Sequence, residues 1–212
     1  SENFIWIRVD QKSLKIFINK LINLYTINFT KINSKSYFLY FLYLLKFELK
    51  TILIMLSHPI ESGKPYTALA LNYILPKFFA PLWNNAKTRV CADGGANRIL
   101  KFSQDNNVEI KHPHIVAGDL DSLKPQVREY YTNKGTQFVK IFDQDYNDIE
   151  KTLSTILKNG IKEPVILFGA WGGRFDHTIS SLHSTLEYPE LRTFSVDDEN
   201  VCTWIFPKDE GI

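Results

Sequence analysis

Only two of the 212 residues are cysteine, Cys91 and Cys202, and only one is methionine, Met55. Two cysteines that far apart make neither a metal-ligand spacing nor a disulfide framework, so a reducing, cytosolic setting is expected. A membrane-spanning helix needs ~20 apolar residues, and the run Tyr37–Leu45 (YFLYFLYLL) stops at nine. No apolar core near the start and no small-residue cleavage site mark a secretory signal. The G-x-G-x-x-G dinucleotide fingerprint is absent. So is a P-loop, since Gly63–Pro65 (GKP) lacks both the hydroxyl residue after Lys and the glycine spacing.

A second set of absences divides the chain. Residues 1–50 contain no Gly, no Pro and no Ala, and are crowded with Ile, Asn, Lys, Phe, Tyr and Leu. This is the bias of AT-rich codons. Three readings stay open for it: a translated non-coding stretch, a genuine arm, or a targeting segment. The net charge of +2 hides the same division. The first fifty residues hold eight Lys/Arg and three acids, a balance of +5, whereas the other 162 hold 17 basic and 20 acidic groups, a balance of −3. The mildly acidic body offers no basic face, so no nucleic-acid partner is expected, and no membrane partner either.

From residue 50 onward, short apolar runs alternate with helical patterns. Thr51–Leu56 (TILIML), Arg89–Asp93 (RVCAD), His114–Ser122 (HIVAGDLDS), Gln137–Phe142 (QFVKIF) and Pro164–Ala170 (PVILFGA) read as strands. Helices are predicted from TALALNYIL to PLWNNA, broken by Pro76 and Pro81, and in GGANRILKFS, KPQVREYYTNKG, the DQDYNDIEKTLSTILKNG segment and the one after WGGRFD. Pro125 suits a first helical turn and Gly135 a helix end. Two final strands are expected in TFSVDDENVCTWIFP. The alternation predicts an α/β fold, a mainly parallel Rossmann-like sheet with helices on both faces. The expected division is an extension over 1–49, an α/β domain over 50–192, and the first strands of an all-β domain over 193–212.

Ligands of such sheets bind beyond the carboxyl ends of the strands, and four of these tips carry aspartate, a glycine turn, or both: CADGG, AGDLDS, FDQDYND and FGAWGGRFD. Asp119 and Asp121 stand two apart, and in extended backbone such side chains point the same way. A divalent cation is the natural occupant, Mg²⁺ above all, which takes one or two carboxylates plus substrate phosphates. The alternative is a solvated turn in which Asp121 or Ser122 caps the next helix. Asp143, Asp145 and Asp148 add acid, although Asn147 or Asp148 would also serve as a helix cap. Lys151, one turn into that helix, suits a phosphate or an aspartate partner. Gly172 and Gly173 precede a helix, with Arg174 next. Glycine backbone, a helix N-terminus and a guanidinium together suit phosphate. Asp176 would orient that loop. Asp93 with Gly94 and Gly95, then Asn97 and Arg98, repeats the theme. His112 and His114, separated by Pro113 and with no cysteine partners after them, read as carrying no metal, His177 as a packed or capping residue, and Cys91 as a core residue.

CADGGANR, GDLDS, DQDYNDIEK and GGRFDH, in this order, resemble the catalytic domain of thiamine pyrophosphokinase, over roughly three quarters of the chain from Thr51 onward. The resemblance implies transfer of the pyrophosphoryl group of ATP to the hydroxyl of thiamine, giving thiamine diphosphate and AMP, with Mg²⁺ and in a homodimer. It implies that Asp93, Asp119, Asp121 and Asp148 are metal and catalytic positions, that Arg174 grips phosphate, and that Asp145, Asn147 and Lys151 border the nucleotide. Gly94, Gly95, Asn97, Gly173 and Asp176 complete the expected nucleotide-binding set. Two departures stand out: the family often has Thr or Ser where Asn147 stands, and its second, all-β domain, which supplies much of the thiamine pocket, is represented here by little more than a first strand. A pyrophosphokinase for another alcohol, such as a hydroxymethyl pterin, and a silent Mg–nucleotide-binding module are the alternatives.

Overall fold

The computed structural model describes residues 3–8, 63–143, 145–173 and 175–205, with side chains except at 3–8 and 205. The strand expected at Thr51–Leu56 and most of the 1–49 extension lie outside the described residues. Among the described residues there are eight strands: β1 (Asn3–Arg8), β2 (Thr67–Ala70), β3 (Thr88–Ala92), β4 (Ile115–Gly118), β5 (Gln137–Lys140), β6 (Val165–Phe168), β7 (Thr193–Val196) and β8 (Asn200–Ile205). Five helices are described: α1 (Phe79–Asn85), α2 (Gly95–Asn106), α3 (Pro125–Thr132), α4 (Asp148–Lys158) and α5 (Phe175–Leu186). The sheet order is β1-β8-β7-β6-β2-β3-β4-β5. Strands β2 to β7 all run parallel, and β8 pairs antiparallel with β7.

The main correction to the sequence reading concerns β2. The TALALNYIL stretch was expected to be helical, yet Thr67–Ala70 is the central strand, fully buried between β3 and β6. Ala and Leu favour helices intrinsically, but four residues are too few to hold one alone. Two parallel neighbours and burial on both faces decide the outcome. Helix α1 starts only at Phe79, and Pro81 sits in its first turn, where a missing N–H costs little. It therefore does not break the helix. Its Phe79 and Trp83 are fully buried, and Phe79 meets Phe168 edge-on at 5.0 Å.

Alternation along the strands builds a core on each face. Ala68, Ala70, Cys91, Val116, Ile166 and Phe168 point to the side covered by Phe79, Trp83, Ile99, Val127 and Tyr131 of α1–α3. Leu69, Val90, Ala92, Ile115, Ala117, Val165 and Leu167 point to the other side, against Ile149, Leu153 and Ile156 of α4. The period-4 and period-3 spacing of those three residues is the apolar stripe that seats α4. Asn147 begins α4 with a full capping box: its Oδ1 accepts from the Glu150 N–H at 3.0 Å, and Glu150 Oε2 accepts from the Asn147 N–H at 3.0 Å.

Strands β7 and β8, read from the sequence as the opening of a β-domain, are hydrogen-bonded into this same sheet: Phe168 pairs with Val196, and Val196 with Val201. The described residues from 65 to 205 form one compact unit together with residues 3–7.

Candidate active site

The order β6-β2-β3 makes β2 the turning point of the fold: the chain moves outward from β2 through β3, β4 and β5, then returns to β2's other side as β6. Crevices form where strand order reverses in this way. A cavity of about 410 Å³ opens there, lined by Asn72, Tyr73, Asp119, Asp148, Lys151 and Gly169, and by His177, Ser180 and Ser181 of α5.

Carboxylates from two strand tips, those of β3 and β4, meet beside it. Asp93, Asp119 and Asp121 each bring an oxygen to within 4.8 Å of the others. The convergence has a different cause from the extended geometry expected of Asp119 and Asp121. Leu120 between them has φ +64°, so a left-handed bend turns both inward, and the Asp121 N–H reaches Asp119 Oδ1 at 3.4 Å. Asp93 is itself left-handed, at φ +41°. Non-glycine residues are held there at a cost, and such positions cluster at functional sites. The Asp93 N–H continues the ladder to the Ala117 carbonyl at 2.9 Å, and its Oδ2 accepts from the Ser122 N–H at 3.2 Å. Gly118 makes room for this, since a Cβ there would stand 3.0 Å from the Cβ of Asp93.

Asp93 is 1% exposed, and its Oδ1 is buried with no hydrogen-bond partner. A buried carboxylate oxygen left bare is costly. Burial raises the Asp93 pKa, Ser122 and Gly94 oppose the rise, and Asp119 adds to it. Asp148, the first residue of α4, stands outside the 4.8 Å triad but faces it. Burial, then Asp93 and Asp119, push its carboxyl up to about 6, with Lys151 opposing and Asp121 adding. Asp119 goes the other way: burial works against its charge, but the hydrogen bond from Lys151, the N–H of Asp121 and the Lys151 charge outweigh that and lower its pKa. Lys151 is 4% exposed, and its Nζ donates to Asp119 Oδ2 at 3.2 Å. One ammonium among four carboxylates leaves a negative, all-oxygen pocket with an unfilled acceptor. That donor set fits a hard divalent cation.

The expected nucleotide-binding residues divide. Lys151 and Asn147 line the cavity, although Asn147 is also committed to its cap and to Ser180 and Ser184 through Nδ2 at 3.1 and 2.6 Å. Gly94 and Gly95 have a packing role: Cβ atoms there would lie 2.4 Å from Asn72 Nδ2 and 2.4 Å from the Ala70 carbonyl oxygen. Asn97 is a strut, donating to the Ser122 carbonyl at 2.8 Å and accepting from the Lys124 N–H at 3.1 Å. Asp145 and Asp176 are exposed, and neither lines the cavity. Gly173 adjoins it, with φ +70°. Arg174 lies outside the described residues. His177, expected to be packed or capping, is instead exposed on the cavity wall.

Asn72, Tyr73, Tyr146, Ser180 and Ser181 also line the cavity and were not singled out in the sequence. Asn72 and Tyr73 belong to the segment read as a helix. Recognised as a strand tip like the others, it would have marked them. Among the described residues, no helix is long and apolar enough to cross a membrane.

The family model of the thiamin pyrophosphokinase catalytic domain matches residues 79–195. Thiamine pyrophosphokinase 3 of Oryza sativa subsp. japonica is 39% identical over 151 residues, which cover 65% of this chain and 57% of the relative. Thiamine pyrophosphokinase 1 of Arabidopsis thaliana is 35% identical over 153 residues, 66% of this chain and 57% of the relative. Among solved structures, thiamin pyrophosphokinase from Candida albicans superposes with a TM-score of 0.54 at 26% identity, covering 62% of this chain and 58% of that one. Yeast thiamin pyrophosphokinase, at 21% identity and a TM-score of 0.52, supports the fold. The chain spans about three fifths of the length of the rice and Arabidopsis relatives it matches. With the family model covering more than half of its residues, the chain belongs to the thiamin pyrophosphokinase family.

Proposed function

We propose that the protein of which this chain is all or part transfers the pyrophosphoryl group of ATP to the hydroxyl of thiamine, giving thiamine diphosphate and AMP. The thiamine oxygen attacks the β-phosphorus, its bond to AMP breaks, and the hydroxyl proton leaves to a base. The observation that carries the reading is the bare, buried Oδ1 of Asp93 beside Asp119 and Asp121 at the rim of the switch-point cavity. Asp93, Asp119 and Asp121 would hold Mg²⁺, with Asp148 facing them. When bound, the ion neutralises phosphate charge and orients the oxygens around the reacting phosphorus.

The chain's own residues do the rest by position and charge. Lys151 fixes Asp119 and brings the one ammonium described in the cavity. The Asn147 cap starts α4 at Asp148, and the helical repeat sets Lys151 one turn further on, beside it on the same face. Arg174 and the glycine turn before it would take phosphate oxygens, in keeping with the family motif. A homodimer and a cytoplasmic setting are part of the same reading.

Incubation of the 212-residue chain with ATP, Mg²⁺ and thiamine is expected to yield thiamine diphosphate and AMP in equal amounts. Mg–ATP binding with no product from thiamine overturns the activity for this chain. Product from a hydroxymethyl pterin instead of thiamine reassigns the acceptor.

A further inference from the structure

The segment that links β6 to α5 contains three glycines in the left-handed region: Gly169 at φ +77°, Gly172 at +92° and Gly173 at +70°. Positive φ alone would justify glycine, but a second feature unites the three. A Cβ at Gly169 would stand 3.3 Å from the Cβ of Tyr73. One at Gly172 would stand 2.9 Å from Tyr73 Cε1, and one at Gly173 2.9 Å from Tyr73 Cε2. A single side chain thus runs along the whole loop, its root at Gly169 and the tip of its ring at Gly172 and Gly173.

Tyr73 is itself well anchored. Its N–H donates to the Leu71 carbonyl at 2.8 Å, and the Leu71 N–H donates to the Phe168 carbonyl at 2.9 Å, so the residues after β2 remain tied to the end of β6. Tyr73 and Gly172 line the cavity together with the α5 residues His177, Ser180 and Ser181.

We infer that Tyr73 is a positioning residue: it sets the path of residues 169–173 and thereby fixes where the loop's backbone N–H groups meet the phosphates of a bound nucleotide. The inference rests on the pyrophosphoryl-transfer reading above, which supplies the phosphates. The ring does this by contact rather than through its hydroxyl. Removing the ring frees three residues whose backbone freedom glycine leaves large. The loop then has to be ordered when the ligand binds, and that ordering weakens binding.

The test uses the 212-residue chain as wild type, Tyr73→Phe and Tyr73→Ala, with Tyr73→Leu as the substitute should Ala not fold. Two quantities are measured: amide hydrogen exchange in residues 169–175 without ligand, and the Kd for Mg–ATP by calorimetry. Tyr73→Phe should match wild type in both. Tyr73→Ala should exchange faster in the loop, with protection of β3 and α2 unchanged, and should bind Mg–ATP about tenfold more weakly, a loss of about 1.4 kcal/mol. Unchanged loop exchange, or faster exchange with unchanged Kd, overturns the inference. Weakened binding in Tyr73→Phe assigns the effect to the hydroxyl and overturns it too. A wild-type chain that binds no Mg–ATP overturns the functional reading and this inference together, whereas wild-type binding that Tyr73→Ala leaves intact overturns this inference alone.

Discussion

Lys151 Nζ and Asp119 Oδ2 lie 3.2 Å apart, the lysine side chain 3% exposed and the aspartate 23%. A buried ammonium survives because carboxylates from other chain segments face it. Removing the cation exposes their mutual repulsion, and breaking such a pair costs more than the pair itself contributes. Lys151→Met should destabilise the metal-free protein by about 2–3 kcal/mol, less than a fully buried pair because Asp119 is partly solvated. Denaturant titration reads this out, and added Mg²⁺ should restore part of the loss. An unchanged midpoint would show that the lysine is not held by charge.

Asp119→Asn keeps the shape of that contact and removes the charge. Turnover of thiamine and ATP should fall roughly a hundredfold or more, with circular dichroism unchanged. A near-wild-type rate in the variant would remove Asp119 from the metal site.

Asp148 gives a pH signature. Its folded pKa, about 6, lies above the ordinary 3.8, chiefly through burial and then through Asp93 and Asp119. A carboxyl raised in this way contributes stability below the unfolded pKa, and the contribution is lost as pH rises through about 6. In the metal-free protein, Asp148→Asn should therefore raise the melting temperature by roughly 2–4 °C at pH 8 and change it little at pH 3, while turnover is lost. Equal shifts at both pH values would contradict the assignment.

His114 predicts the opposite slope at the far end of the sheet. Burial, then the charges of Arg89 and His112, lower its pKa, and the Arg89 guanidinium Nη2 lies 2.7 Å from its Nε2. A histidine kept neutral in the folded state contributes stability above its unfolded pKa, lost as pH falls below about 6.5. The stability difference between wild type and His114→Asn should narrow between pH 7 and pH 5. A constant difference would rule out this linkage.

Gly95 separates packing from binding. A methyl group there meets the Ala70 carbonyl oxygen at 2.4 Å, a backbone atom that cannot swing aside. Gly95→Ala should cost about 1–3 kcal/mol in the ligand-free chain, as overpacking does. An unaffected apo stability with weakened Mg–ATP binding would return Gly95 to the nucleotide site.

The strands flanking β2 were legible because β-branched runs ended in aspartate or glycine, and α4 because its apolar spacing and Asn147–Glu150 cap are local signals. Strand β2 was not, because Thr-Ala-Leu-Ala is strand only by virtue of neighbours supplied from residues 88 and 165 onward. That single misreading concealed Asn72 and Tyr73. The acidic triad was legible as a set of tips, but its geometry was not: Asp93 at φ +41° and Leu120 at φ +64° are bends that tertiary contacts impose on residues with little local preference for them. The roles of Gly94 and Gly95 depend on how closely β2 approaches, which residue spacing does not encode.

The pairing of Thr67 with Val165 joins segments about a hundred positions apart. Closing so long a loop is slow and comes late. On the ribosome, the crevice between β2 and β6 can take shape only after Phe168 has emerged. Until then the exposed flank of β2 is an open apolar edge on a nascent chain, a point where chaperone capture or mispairing would act.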